Sequence, residues 1–295
     1  MKKICVLILI CLLCGCSTSE SRSNDSLQVI ALIFPPYDFA RQIAADNAEI
    51  TMLLPPGMES HHYEPTPKDI INIENCDLFI YAGGESDEWV DEILKSMKKK
   101  IKTIRMIDCV DTKFLDENAV HGDDDYDEHV WTSPVNAMKI SEKIKDVLIE
   151  IDSENKDFYQ ANYESYLLKL EELDNKFKDL FVNKRTLIFA DRFPFRYFIE
   201  EYRLNYYSAL PGCSSEMEPS AATMAFLINK IKEENINTIY YLEFSTRKIA
   251  DTLAETTGVN TAMLHSCHNV SYEDLENGAT YLSLMERNYE VLSKK

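Results

Sequence analysis

Glycine is scarce in this chain, eight among 295 residues. That leaves little material for a glycine-rich loop whose backbone amides cradle a phosphate, and no G-x-x-x-x-G-K-[ST] segment occurs. The H-E-x-x-H helix of zinc proteases and the G-x-S-x-G elbow of serine hydrolases are missing too. No C-x-x-C pair is present, which excludes a zinc ribbon and a thioredoxin-like centre. No period in the solenoid range repeats. Basic residues are few, 31 against 50 acids, for a formal charge of −19. So acidic a surface argues against nucleic acid as a partner, because displacing phosphate counterions needs basic patches. It suits the attraction of cations, although solubility alone would account for it.

The first residues, MKKICVLILICLLCGCSTSESRSNDS, put two lysines ahead of an apolar run at 4–14. That run is too short to span a bilayer core of about 30 Å and has the layout of a secretory signal. Its end, Leu13-Cys14-Gly15-Cys16, resembles the lipobox of bacterial lipoproteins, which implies cleavage after Gly15 and a lipid thioether on Cys16. An uncleaved signal anchor is the plainer alternative. Residues 1–15 are read as the lipoprotein signal and 16–26 as a polar tether at a membrane surface. Removing the signal takes away two lysines and no acid, leaving 29 basic and 50 acidic side chains, a charge of −21. Of the eight cysteines, four fall in the signal and lipobox. Cys76 and Cys109 flank apolar runs and read as small core residues.

From Leu27 onward, short apolar runs alternate with amphipathic stretches. VIALIF (29–34), EITMLL (49–54), DLFIYA (77–82) and KTIRMID (102–108) read as strands, with YDFARQIAADN, PKDIINIEN and DEWVDEILKSM as helices between them. The rhythm resumes with TLIFA (186–190), NYYSAL (205–210), NTIYYLEF (237–244) and TAMLHS (261–266). The intervening helices are PFRYFIEEYR, SAATMAFLINKIKEEN and TRKIADTLAETTG, and a last one lies around 273–293. Continuous apolar strands separated by helices predict parallel sheets covered on both faces. Between the two halves, 134–181 reads as two helices, the second beginning at a cap near Asp152 or Ser153 and running roughly 40 Å. It has no glycine or proline and, judged on its apolar positions, no strict heptad. The expected fold is α/β: two lobes, each with a mainly parallel four-stranded sheet flanked by helices, joined by a rigid helix. The expected divisions are 27–152, 153–183 and 184–295.

Ligands of open α/β sheets gather at the carboxyl ends of the strands. His61 and His62 follow the second candidate strand, and His129 lies in DDDYDEHVWTSP after the fourth. Asp191 and Arg192 follow the fifth, Glu243 ends the seventh, and His265 ends the eighth in LHSCHN, which also carries Cys267 and His268. Any one of these histidines would ordinarily be a surface residue. Five loops bearing such groups on one edge make a metal site the better reading. Imidazoles with carboxylates suit Zn²⁺, Mn²⁺ or Fe²⁺, and a histidine-rich set favours zinc.

HHYEPTPKDI is similar to the H-x-Y-E-P-T-P-x-D segment of the metal-binding solute receptors of zinc and manganese ABC importers, the zinc-uptake receptor family. DEHVWTSPVNA resembles that family's D-P-H-x-W-L-D-P-x-N, and RYFIEEYRL its Y-F-x-x-x-Y-G-L helix. EMEPSA at 216–221 and EFSTRKIADTLAETTG at 243–258 also correspond. The resemblance covers the chain from about residue 27 onward. It implies His61 and His129 as ligands, leaves His62 as a variable neighbour, and puts His265 where the family has an aspartate ligand. It also places Arg192 at a third ligand position, where a permanently protonated guanidinium cannot coordinate. Asp191 substitutes for it, or Arg192 holds a carboxylate, or the two merely cap a helix and form a salt bridge. Ser133, where the family has aspartate, should affect only a turn. The acid run HGDDDYDEH (121–129) sits where zinc receptors carry a histidine-rich loop, and reads here as a solvated segment.

The resemblance implies an extracytoplasmic, lipid-anchored, monomeric receptor. It would capture a divalent metal, foremost Zn²⁺, and pass it to an ABC permease driven by a cytoplasmic ATPase. Imidazoles must be neutral to bind, so affinity should fall below about pH 6.5. The rivals are a secreted metal-dependent hydrolase, with Glu243 as its base, and a surface adhesin. Cys213 and Cys267 lie in loops on the same edge, where a disulfide is expected outside the cytoplasm. A Cys267 thiolate ligand and two isolated thiols are the alternatives.

Overall fold

The computed structural model describes residues 26–59, 63–112, 126–210 and 218–294. Its first sheet contains β1 (Leu27–Ala31), β2 (Ala48–Met52), β3 (Leu78–Tyr81) and β4 (Lys102–Arg105) in the order β2-β1-β3-β4, all parallel. Every residue of β3 is buried, as a central strand covered on both faces must be. The edge strand β2 alternates instead between covered and exposed positions. The second sheet repeats the topology with β5 (Thr186–Phe189), β6 (Asn205–Ser208), β7 (Thr238–Leu242) and β8 (Asn260–Leu264) in the order β6-β5-β7-β8. The eight expected strands are therefore present, each shorter than its apolar run. The residues beyond each strand enter the loops at the carboxyl edge.

The first helix differs from expectation. α1 (Phe34–Ala44) begins three residues early, because Pro35 and Pro36 fill its first turn, where an amide hydrogen has no helical acceptor. α2 (Pro67–Asn75) opens on a capping box: Asp69 N–H donates to Thr66 Oγ1, and the Asp69 carboxylate accepts from Thr66 N–H at 2.8 Å. α3 (Glu88–Ser96) completes the first lobe's set, and α4 (Pro134–Ile151) is capped by Ser133, whose Oγ accepts from Asn136 N–H. That is the turn role expected of Ser133.

α5 (Lys156–Leu180) is a helix of 25 residues, about 37 Å long. The hydrophobic residues of its buried face are Tyr159, Tyr163, Tyr166, Leu170, Leu173 and Phe177. That spacing alternates four and three, so the stripe is a heptad once the three tyrosines count as apolar, contrary to the sequence expectation. It packs on α1, α4 and the C-terminal α10 (Tyr281–Ser293). The second lobe also carries α6 (Arg196–Glu201), α7 (Ala221–Glu233), α8 (Lys248–Thr257) and the short α9 (Tyr272–Glu276). The single final helix expected around 273–293 is thus two, divided at Gly278, whose φ is +74°.

One hydrophobic core runs from Val29 in β1 through α5 to Leu264 in β8, with a satellite behind the second sheet around Ile188, Leu227 and Leu253. The loops at the carboxyl edges of the two sheets bond directly to each other. Gly57 N–H donates to Val270 O at 2.7 Å, and Phe34 N–H to His268 O at 3.3 Å. Trp131 Nε1–H donates to Ser266 O at 2.9 Å. Among the described residues no helix is long and apolar enough to cross a membrane.

Candidate metal centre

Three side chains converge where the lobes meet. Donor atoms of Glu128, His129 and His268 all lie within 4.8 Å of one another, and all three residues are buried. Glu128 and His129 precede the turn into α4 in the first lobe, and His268 comes from the loop leaving β8 in the second.

His129 is fixed twice by Asp127. The same carboxylate oxygen accepts the His129 backbone N–H at 2.9 Å and faces Nδ1 at 2.7 Å. A carboxylate oxygen accepts, so the ring proton belongs on Nδ1 and Nε2 carries the lone pair a metal needs. Tyr197 O–H donates to Asp127 O at 2.8 Å and steadies the turn from the other lobe. The His129 and His268 ring centroids are 5.3 Å apart, and both rings lie against the buried indole of Trp131.

Glu128 accepts Ser86 N–H on Oε2 at 3.0 Å, while buried Oε1 has no hydrogen-bond partner among the described residues. A buried carboxylate oxygen left so is costly without a cation nearby. Gly84 allows the approach, since a Cβ there would overlap the Glu128 side chain. Beside it, burial pushes the Asp87 carboxyl up to about 7, and the charge of Glu128 adds to the rise.

His268 is placed by a relay. Its backbone N–H donates to Ser266 Oγ at 3.2 Å, and the Ser266 hydroxyl donates in turn to Glu243 Oε1. Ser266 N–H reaches Glu243 Oε2 at 2.8 Å. Both oxygens of Glu243 are therefore engaged in shaping this loop. Cys267 turns the chain with φ +61°, a conformation that costs a non-glycine residue about 1–2 kcal/mol.

His265 does not join the cluster. Its Nδ1 accepts the Cys267 backbone N–H at 2.9 Å, and Asn288 grips its backbone on both sides. With Nδ1 as acceptor the neutral ring carries its proton on Nε2, so neither nitrogen offers a lone pair. Nδ1 is also 3.7 Å from Glu243 Oε1, too far to displace the shorter bond. The second-lobe member of the cluster is thus His268 and not His265.

Asp191 links the loop after β5 to β7. Its oxygens accept Arg192 N–H at 2.8 Å and Leu242 N–H at 3.3 Å. Arg192 reaches across the lobes to Glu59 Oε2 at 2.7 Å. Cys267 is a buried free thiol, pushed well above its ordinary value by burial, with the charges of Glu243 and Asp38 adding. Its expected partner Cys213 lies outside the described residues, as do His61, His62, His121 and Cys16. Sequence reasoning passed over Glu128 because it closes an acid run read as solvated, and over Glu59 because it carries no motif.

The cavity at the junction is lined by Met58, Glu59 and His129 from one lobe and by Arg192, Glu243, Ser266 and His268 among others from the second. Its free volume is about 20 Å³, the scale of one water-sized sphere. Two imidazoles, a buried carboxylate and an ion-sized space define a two-lobed receptor for a metal ion. The description "zinc-uptake complex component A periplasmic" matches residues 29–295, and the chain belongs to that family. It is 32% identical over 293 residues to the high-affinity zinc uptake system protein ZnuA of Bacillus subtilis, covering 95% of this chain and 91% of that protein. The zinc-binding lipoprotein AdcA of Streptococcus pneumoniae is 31% identical over all of this chain, which spans 61% of that longer protein. The crystal structure of AdcA's Zn(II)-bound ZnuA-like domain superposes with a TM-score of 0.77 at 31% identity, covering 91% of this chain and 98% of that one.

Proposed function

We propose that this chain is the extracytoplasmic receptor of a zinc importer, taking Zn²⁺ between its lobes and passing it to an ABC permease. It is a binding protein, not an enzyme: the ion is cargo, and no bond is made or broken. The observation that carries the reading is the convergence of Glu128, His129 and His268 from two lobes, with both histidines lining an ion-sized cavity. The donor set suits zinc, with neutral imidazole nitrogens and one carboxylate. Protons compete for the same imidazoles, which gives binding its pH dependence.

In the same reading His61 supplies a further ligand from the loop after β2, as its motif implies, and His62 does not. The lipid on Cys16, the monomeric state and the division at 27–152, 153–183 and 184–295 belong to this proposal as well. Growth of the source cells under zinc limitation tests the function. Cells lacking the chain should recover with the wild-type protein and not with His129→Ala. Equal recovery with both would contradict it.

A further inference from the structure

Within the proposed zinc-capture cavity lies a group that should repel the cargo. Arg192 is the one lysine or arginine among the described residues lining it. Its guanidinium never loses the proton, so no change of pH within the physiological range removes that charge. Nη1 donates to Glu59 Oε2 at 2.7 Å, and Nε lies 3.7 Å from Asp191 Oδ1. Glu59 belongs to the first lobe and Arg192 to the second, so the ion pair crosses the cavity.

The two carboxylates lining this space are not equivalent. Glu243 is tied through both oxygens to Ser266. Glu59 is engaged by Arg192, and it stands outside the group whose donor atoms converge within 4.8 Å. It lines the same cavity as His129 and His268, so release from Arg192 would leave a second carboxylate available to an ion there. Oxygen-rich sets of higher coordination number suit manganese, whereas imidazole-rich tetrahedral sets suit zinc.

We propose that Arg192 is a specificity-determining residue that holds Glu59 out of the coordination sphere, keeping the site nitrogen-rich and selective for zinc over manganese. The arginine does not touch the ion. It acts by occupying the carboxylate that would otherwise add an oxygen donor, and by offsetting one negative charge that would favour any dication. The inference rests on the zinc-capture reading but claims more than it does.

The test is competition titration of the mature protein with Zn²⁺ and Mn²⁺ against a chromophoric chelator. It compares wild type, Arg192→Gln, Arg192→Lys, Glu59→Gln and the Arg192→Gln/Glu59→Gln double variant. Arg192→Gln should strengthen manganese binding and narrow the zinc-to-manganese affinity ratio about tenfold. The double variant should return to the wild-type ratio, because no carboxylate remains to be released, and Arg192→Lys should stay close to it. An Arg192→Gln ratio unchanged from wild type, with both metals weakened alike, would overturn the inference and leave zinc capture standing. So would a double variant that keeps the narrowed ratio. A wild-type protein that binds neither metal would overturn the capture reading and this inference with it.

Discussion

Which nitrogen of an imidazole bears its proton decides whether a buried histidine can offer a metal its lone pair, and His129 and His265 differ in that respect. Asp127 accepts a hydrogen bond from Nδ1–H of His129 and so leaves the lone pair on Nε2, whereas the Cys267 amide donates to Nδ1 of His265 and so places the ring proton on Nε2. His265→Ala should therefore leave zinc stoichiometry intact. It should also lower stability by about 1–3 kcal/mol, the usual loss when a buried N–H is left without its acceptor. Thermal unfolding with parallel metal analysis reads both quantities. A variant that unfolds normally but binds no zinc would restore His265 as a ligand. The sequence could rank these two histidines only by order, since both sit in LHSCHN. What separates them is the left-handed turn at Cys267 and the grip of Asn288, which arrives from a different helix. His129 was legible because its motif is local. Glu128 was not, because an acid run has the same composition whether it is solvated or folded into a core.

Elements were more legible than side chains, for a physical reason. Strands buried on both faces read as unbroken apolar runs, and the helices between them keep their spacing whatever packs on them. Boundaries failed where backbone chemistry overrode hydrophobicity. Proline at 35 and 36 starts a helix inside an apolar run, and Gly278 splits the last one. The tyrosine-led stripe of α5 shows the opposite failure, a heptad missed because its members carry hydroxyls. Tyr159 O–H donates to Asp152 at 2.6 Å, while the buried Tyr166 hydroxyl has no hydrogen-bond partner among the described residues. The middle of the stripe is aliphatic, and Leu170 is fully buried where α5 meets its neighbours. Leu170→Ala should cost about 2–5 kcal/mol, measured by chemical denaturation of the metal-free protein. A loss below 1 kcal/mol would mean that α5 is a loosely attached spacer.

At the scale of the whole molecule, the lobes share one core and exchange hydrogen bonds, so the cavity lies at an internal seam. Tyr281 shows the arrangement. Its backbone N–H donates to buried Asp38 at 2.8 Å and its hydroxyl to Trp131 O at 2.7 Å, tying α10 to the first lobe beside the indole that supports both imidazoles. A site assembled across such a seam depends on both halves equally. Titration of the chelated mature protein with zinc measures this most directly, comparing wild type with His129→Ala from the first lobe and His268→Ala from the second. One ion should bind tightly per wild-type chain, and either substitution should lower the affinity at least tenfold. Wild-type binding retained by the His268→Ala protein would contradict that dependence on both halves.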